Sequence, residues 1–199
     1  MNAAQYMAEV PRRDQERNGR IRTFTGKLVD PFALTLDDID IRDIAHHLSN
    51  LCRYTGAGPF YSVAQHSVLV ANYFIDPAAR LAGLLHDAAE TYINDIASPL
   101  KRAIGMERYV TADEEITAAV FQAFRLRHSQ LAEIKTFDDL VFQREVMSFW
   151  PTGTVYSDQF INPVSPVVAE AQFLSEFRRL FPSWDGASNG QGLILGATS

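Results

Sequence analysis

Hydrophobic positions recur along most of this chain at spacings of three and four, the pattern of helices that bury one face. In residues 40 to 54, DIRDIAHHLSNLCRY, the residues Ile41, Ile44, Leu48 and Leu51 keep that spacing, and Gly56, Gly58 and Pro59 end it. Ser62 stands as an N-cap for SVAQHSVLVANYFI, whose apolar side includes Val63, Val70 and Phe74 before Asp76-Pro77 stops the run. Pro77 fits the first turn of a third helix, PAARLAGLLHDAAETYI, with Leu81, Leu84, Leu85 and Ala88 as its buried stripe. A loop, ASPLKRAIG, leads to TADEEITAAVFQAF, marked by Ile116, Val120 and Phe124. A further helix over residues 129 to 149 would place Ile134, Leu140, Val141 and Phe142 inside, and VSPVVAEAQFLSEFRRLF supplies a last one before Pro182. Residues 22 to 36 read differently, because RTFTG and KLVDPF are short β-prone pieces around Gly26 and predict a small hairpin. The expected fold class is all-α, a helical bundle with a small N-terminal β-hairpin.

Residues 1 to 20 are polar and without sustained periodicity, and residues 183 to 199 carry GASNGQG and lose nearly all charge; both predict flexible tails. Between them runs no Ser/Gly-rich linker and no repeat, so residues 21 to 182 are expected to form one domain. At 199 residues, 47% of them hydrophobic and 21% charged, the chain has the balance of a packed globular protein. A formal net charge of -6 offers no general attraction for a nucleic-acid polymer and favours a small substrate. The single cysteine, Cys52, excludes an intramolecular disulfide and fits a reducing compartment. With no secretory signal and no run of membrane-spanning length, the expected location is cytoplasmic and no membrane partner is expected.

Candidate chemistry lies on the helices. Metal-assisted hydrolysis needs nitrogen and oxygen ligands that converge while leaving positions open for water and substrate, and His66, His86, Asp87 and Asp138 are the candidates. Neighbours such as His86 and Asp87 point about 100° apart on a helix, yet both can reach an ion beside it. His66 sits mid-helix among apolar residues, where an unpaired imidazole is costly; taken alone, a buried histidine bonded to a backbone carbonyl is its commoner use. Glu90, one turn after His86, puts a carboxylate on the same side, and Asp95 follows in a loop that can turn back. Together they offer a base for the attacking water and an acid for the leaving group. Arg53 and Lys101 stand at the ends of these elements, where cations would hold phosphate.

Taken in order, AQHSVLVA, LLHDAAETYINDIASPLK and IKTFDDLVFQRE resemble the H…HD…D pattern of the HD-domain phosphohydrolase superfamily, and more closely its small nucleotide-hydrolysing branch. The resemblance spans residues 21 to 181. It implies an HD-domain bundle in which His66, His86, Asp87 and Asp138 hold one divalent cation, whether Mn, Co, Mg, Zn or Fe, with Asp139 as the fallback for the last ligand. It implies Glu90 and Asp95 as catalytic carboxylates, Arg53 and Lys101 as phosphate ligands, and Tyr54, Phe60 or Tyr92 as rings for a base. The implied substrate is a nucleotide: a deoxynucleoside monophosphate cleaved by a 5′-nucleotidase, or a triphosphate such as dATP cleaved to tripolyphosphate. A non-catalytic nucleotide sensor and an HD phosphodiesterase are the alternatives. A homo-oligomer, dimer or larger, is also implied, and His46-His47 is a doublet whose role is packing or substrate contact.

Overall fold

The computed structural model describes residues 19–151 and 160–193. The tail expected over residues 1 to 20 therefore lies, but for its last two positions, outside the described residues. Strands β1 (Ile21–Arg22) and β2 (Leu28–Val29) pair antiparallel, Ile21 opposite Val29 and Arg22 opposite Leu28. The hairpin docks on helix α1 (Ile41–Asn50) through side chains of that helix. Asp43 accepts from the Thr25 N–H at 2.6 Å and from its hydroxyl at 2.9 Å. His47 Nε2 accepts the Phe24 N–H at 3.1 Å, while the Phe24 ring stacks on His46, centroids 3.9 Å apart. Asp40 caps α1 by accepting from the Arg42 N–H. The helix stops at Asn50, earlier than its apolar pattern does, because the backbone of the next residues pairs elsewhere. The Arg53 N–H donates to the Tyr61 carbonyl at 2.9 Å and that of Val63 to the Leu51 carbonyl at 3.1 Å.

Helix α2 (Val63–Ala71), with Ser62 accepting from the Gln65 N–H, is the centre of the fold. Helices α1, α3 (Pro77–Leu85), α7 (Leu131–Phe149) and α8 (Pro166–Leu180) surround it. Where α3 crosses α2, a Cβ on Gly83 would stand 3.2 Å from the Ala71 Cα and from the Phe74 ring, so this contact needs glycine. Short helices α4 (Glu90–Ile93) and α5 (Ser98–Lys101) lead to α6 (Glu107–Ala123), which packs on α3, α4 and α5. Leu48, Leu81, Leu84, Leu85, Phe121, Phe173 and Phe177 are fully buried between these layers. Each such side chain contributes about 1.5–3 kcal/mol by leaving water.

Two expectations are corrected. On α7, Leu140 and Phe142 are exposed rather than inside. The inward stripe is Ile134, Asp138, Val141 and Glu145, spaced by four, three and four, so the helix gives half of its inner face to carboxylates. The stretch after Pro182 is also no loose tail as far as residue 193. Trp184 is buried against Phe177, Asn189 accepts the Ile41 N–H at 3.1 Å, and Gln191 Nε2 donates to the carbonyls of Leu36 and Ile39 at 2.6 and 2.8 Å. Gly190, φ +80, passes so close that a Cβ would be 2.9 Å from both Ile41 and Phe177. The low charge of this segment marks a strap lying on the core, not a solvated end.

Candidate metal centre

The expected third helix is broken at the residues that matter most. After Leu85 the N–H groups of Ala88, Glu90, Thr91 and Tyr92 donate to carbonyls three residues back, a tighter turn than an α-helix. His86 takes part in the break: its Nδ1 lies 2.8 Å from the Gly83 carbonyl, an acceptor that an unbroken helix offers to residue 87. A carbonyl only accepts, so Nδ1 carries the proton and Nε2 presents a lone pair.

His66, wholly buried on α2, is set the same way. Its Nδ1 is 2.6 Å from Glu145 Oε1. Its Nε2 faces that of His86 at 3.3 Å and Asp138 Oδ1 at 3.1 Å. Asp87 Oδ2 stands 3.2 Å from His86 Nε2 and 3.7 Å from His66 Nε2. Atoms bound about 2.1 Å from one ion are about 3.0–3.4 Å apart at octahedral or tetrahedral angles. With both Nδ1 protons committed, two imidazole lone pairs and a carboxylate oxygen converge with no donor between them. A cation relieves that arrangement, and His66, His86 and Asp138 form a cluster that can hold a metal ion. Asp139, the fallback, is exposed and pairs with Lys135 at 2.6 Å, a lysine that also meets the second oxygen of Asp138 at 2.9 Å.

Beside the cluster opens a cleft of about 730 Å³ lined by His86, Asp87, Asp138, Glu90, Asp95 and Arg53, among others. Burial raises the Asp87 carboxyl, and the Arg53 guanidinium, 3.7 Å away, lowers it. Burial, then the charges of Asp87 and Asp95, push Glu90 well up. Its Oε2 is buried with no hydrogen-bond partner among the described residues. Asp95 is raised by burial, with Arg53 opposing. Asn94 before it has φ +70 and ψ 160, a backbone that residues other than glycine rarely adopt, and its carbonyl is held by the Tyr109 hydroxyl at 2.7 Å.

The expected cations are present but engaged. Arg53 Nη2 meets Glu145 Oε2 at 3.2 Å and its Nη1 is 3.7 Å from Asp87. Lys101 Nζ lies 3.1 Å from Asp113 and 3.7 Å from Glu90. Tyr54 lines the cleft, φ +59, with its hydroxyl donating to Glu145. Of the other expected rings, Tyr92 is buried and neither it nor Phe60 borders the cleft, whereas Phe142 does. His46 is 3.0 Å from Glu170 and His47 holds the hairpin, so the doublet is structural here.

Glu145 is the residue that the sequence reading missed. Wholly buried, it is held down at about 2 because His66, Arg53 and Tyr54 outweigh the upward push of burial. A signal was available: Glu145 falls two helical turns after Asp138, in register with Ile134 and Val141.

A helical domain with a His-His-Asp cluster at the wall of a charged cleft is the class that fold and site define. No protein-family model matches the chain. It is 34% identical to the uncharacterized protein YfdR of Escherichia coli K12 over 171 residues, 80% of this chain and 94% of that protein. To the uncharacterized protein RCAP_rcc00048 of Rhodobacter capsulatus it is 42% identical over 123 residues, 57% of this chain and 62% of that one. The chain belongs to the family of YfdR.

Proposed function

We propose that this chain is a phosphohydrolase of the HD type, using one divalent cation to remove phosphate from nucleotides. The observation that carries the reading is the donor-free convergence of His66 Nε2, His86 Nε2 and Asp138 Oδ1 at a cleft that also holds acidic and cationic side chains. Asp87 lies outside that three-residue cluster, 3.2 and 3.7 Å from the two imidazoles, and would join as a fourth ligand by turning its side chain toward the ion. A divalent ion bound there supplies Lewis acidity toward water and a phosphoryl oxygen.

The residues divide the remaining work. Asp95 takes a proton from the attacking water as its oxygen bonds to phosphorus. Glu90, whose carboxyl is raised by burial and then by Asp87 and Asp95, gives a proton to the leaving oxygen as the P–O bond breaks. Arg53 steadies the phosphoryl oxygens, with Lys101 near Glu90. Tyr54 and Phe142 offer apolar surface to the nucleoside.

A 5′-nucleotidase acting on monophosphates is the lead activity, with triphosphate hydrolysis second. Incubation with Mn(II) or Co(II) and a panel of deoxy- and ribonucleotides, separating phosphate, pyrophosphate and tripolyphosphate, tests it. Phosphate release from monophosphates is expected; absence of all three products across the panel would leave a nucleotide-sensing protein as the reading.

A further inference from the structure

Glu145 bridges two parts of the site. One carboxylate, fully buried on α7, puts Oε1 2.6 Å from His66 Nδ1 and Oε2 against Arg53, 3.3 Å from Nε and 3.2 Å from Nη2, and against the Tyr54 hydroxyl. We propose that Glu145 is a positioning residue whose Oε1 selects the metal-binding tautomer of His66 while its Oε2 locks Arg53 and Tyr54 at the phosphate end of the cleft. The inference deepens the metal-centre reading and rests on it.

The chemistry follows from what a carboxylate can do. It only accepts, so His66 must donate from Nδ1, and the lone pair is left on Nε2, the atom that faces His86 and Asp138. A negative charge behind the ring also makes that nitrogen a better ligand. On the other side the three contacting atoms, Nε and Nη2 of Arg53 and the Tyr54 hydroxyl, all donate, which no neutral side chain of the same shape can satisfy together with His66. Glutamine has one accepting oxygen: turned to His66, it points its NH₂ at Arg53 and Tyr54; turned to them, it points the NH₂ at His66 Nδ1. Either way one end of the bridge fails. Tyr54 and Thr55, with φ of 59 and 52, hold a backbone that L-residues rarely adopt, and the Tyr54–Glu145 bond ties that turn to the cluster.

The test compares wild type, Glu145→Gln and Glu145→Asp by Mn(II) titration, reading free Mn(II) by EPR so that affinity is measured without turnover. Glu145→Gln should bind Mn(II) about 10–100-fold more weakly and raise KM for the nucleotide. Glu145→Asp, which keeps the charge on a shorter stem, should recover part of the affinity. A folded Glu145→Gln with wild-type Mn(II) affinity and wild-type KM overturns the inference and leaves the metal centre standing. Wild type that takes up no Mn(II) removes both. Should the glutamine variant not fold, ¹⁵N spectra of histidine-labelled, Zn(II)-loaded wild type decide: a protonated Nδ1 on His66 is expected, and a deprotonated or metal-bound Nδ1 overturns the role.

Discussion

At the scale of single residues, adjacent carboxylates have opposite fates. Asp138 points at His66 and Asp139 at Lys135 in solvent. Asp138→Ala should abolish Mn(II) retention, whereas Asp139→Ala should keep it, as equilibrium dialysis would show; the reverse result would exchange their places. Glu90 supplies a kinetic prediction. Its carboxyl is raised, so as an acid it is competent below its titration and is lost as pH climbs through it. The rate should therefore fall on the alkaline side, and Glu90→Gln should lower kcat by about 10²–10⁴-fold with Mn(II) affinity kept. His66, His86, Asp87, Asp138, Glu90 and Asp95 were all legible as residue types in order. Glu145 was legible only as a position on the same helix face as Asp138, because its partners lie 79, 91 and 92 positions away.

At the scale of elements, α3 and α8 are joined by an ion pair that makes stability depend on pH. Glu176 on α8 accepts from Arg80 Nη2 at 3.0 Å and from Arg179 Nη2 at 2.8 Å. Burial alone would raise its carboxyl, yet the two arginines hold it at about 2, against an ordinary 4.5. A lowered carboxyl stabilises the fold fully above its unfolded value, so this contribution is whole above about 4.5 and is lost as pH falls from there to about 2. Glu176→Gln should cost about 1–2 kcal/mol at neutral pH, discounted because Arg179 is half-exposed to screening solvent. It should also flatten the acid side of a Tm-against-pH curve; an unchanged acid side would show that the pair is idle. The cap at Ser62 was readable in the sequence because it depends on local spacing, and the structure adds caps at Asp40 and Asp76. The break at residues 86 to 89 was not readable, since apolar periodicity runs through it undisturbed and the tighter turn shows only in the backbone bonds.

At the scale of the whole molecule, the strap after Pro182 and the metal centre lie at different places on the same core and should make separate contributions to stability. Trp184 packs edge-on against Phe177 and donates from Nε1 to the Ser188 carbonyl at 3.1 Å. Trp184→Ala should destabilise by about 3–5 kcal/mol, and Tm should drop by about 6–20 °C for a chain of this size. A change under about 2 °C would mean that the strap is dispensable. The cation acts by mass action: at a concentration about 100-fold above its Kd it should add about 2.7 kcal/mol. Differential scanning should then find Tm several degrees higher with Mn(II) than with EDTA, and Asp138→Ala should erase the difference.

The sequence by itself determined the all-α class with its small hairpin, the placement of most helices, and His66, His86 and Asp138 as residues able to ligate a cation, because helical periodicity and ligand chemistry are local properties. Tertiary structure decided what depends on distant chain segments meeting. It made His46 and His47 into packing residues, turned an expected loose end into a strap and placed Glu145 behind His66. Pairing, burial and the direction of each carboxyl shift arise only when α2, the broken α3–α4 turn and α7 converge on one point.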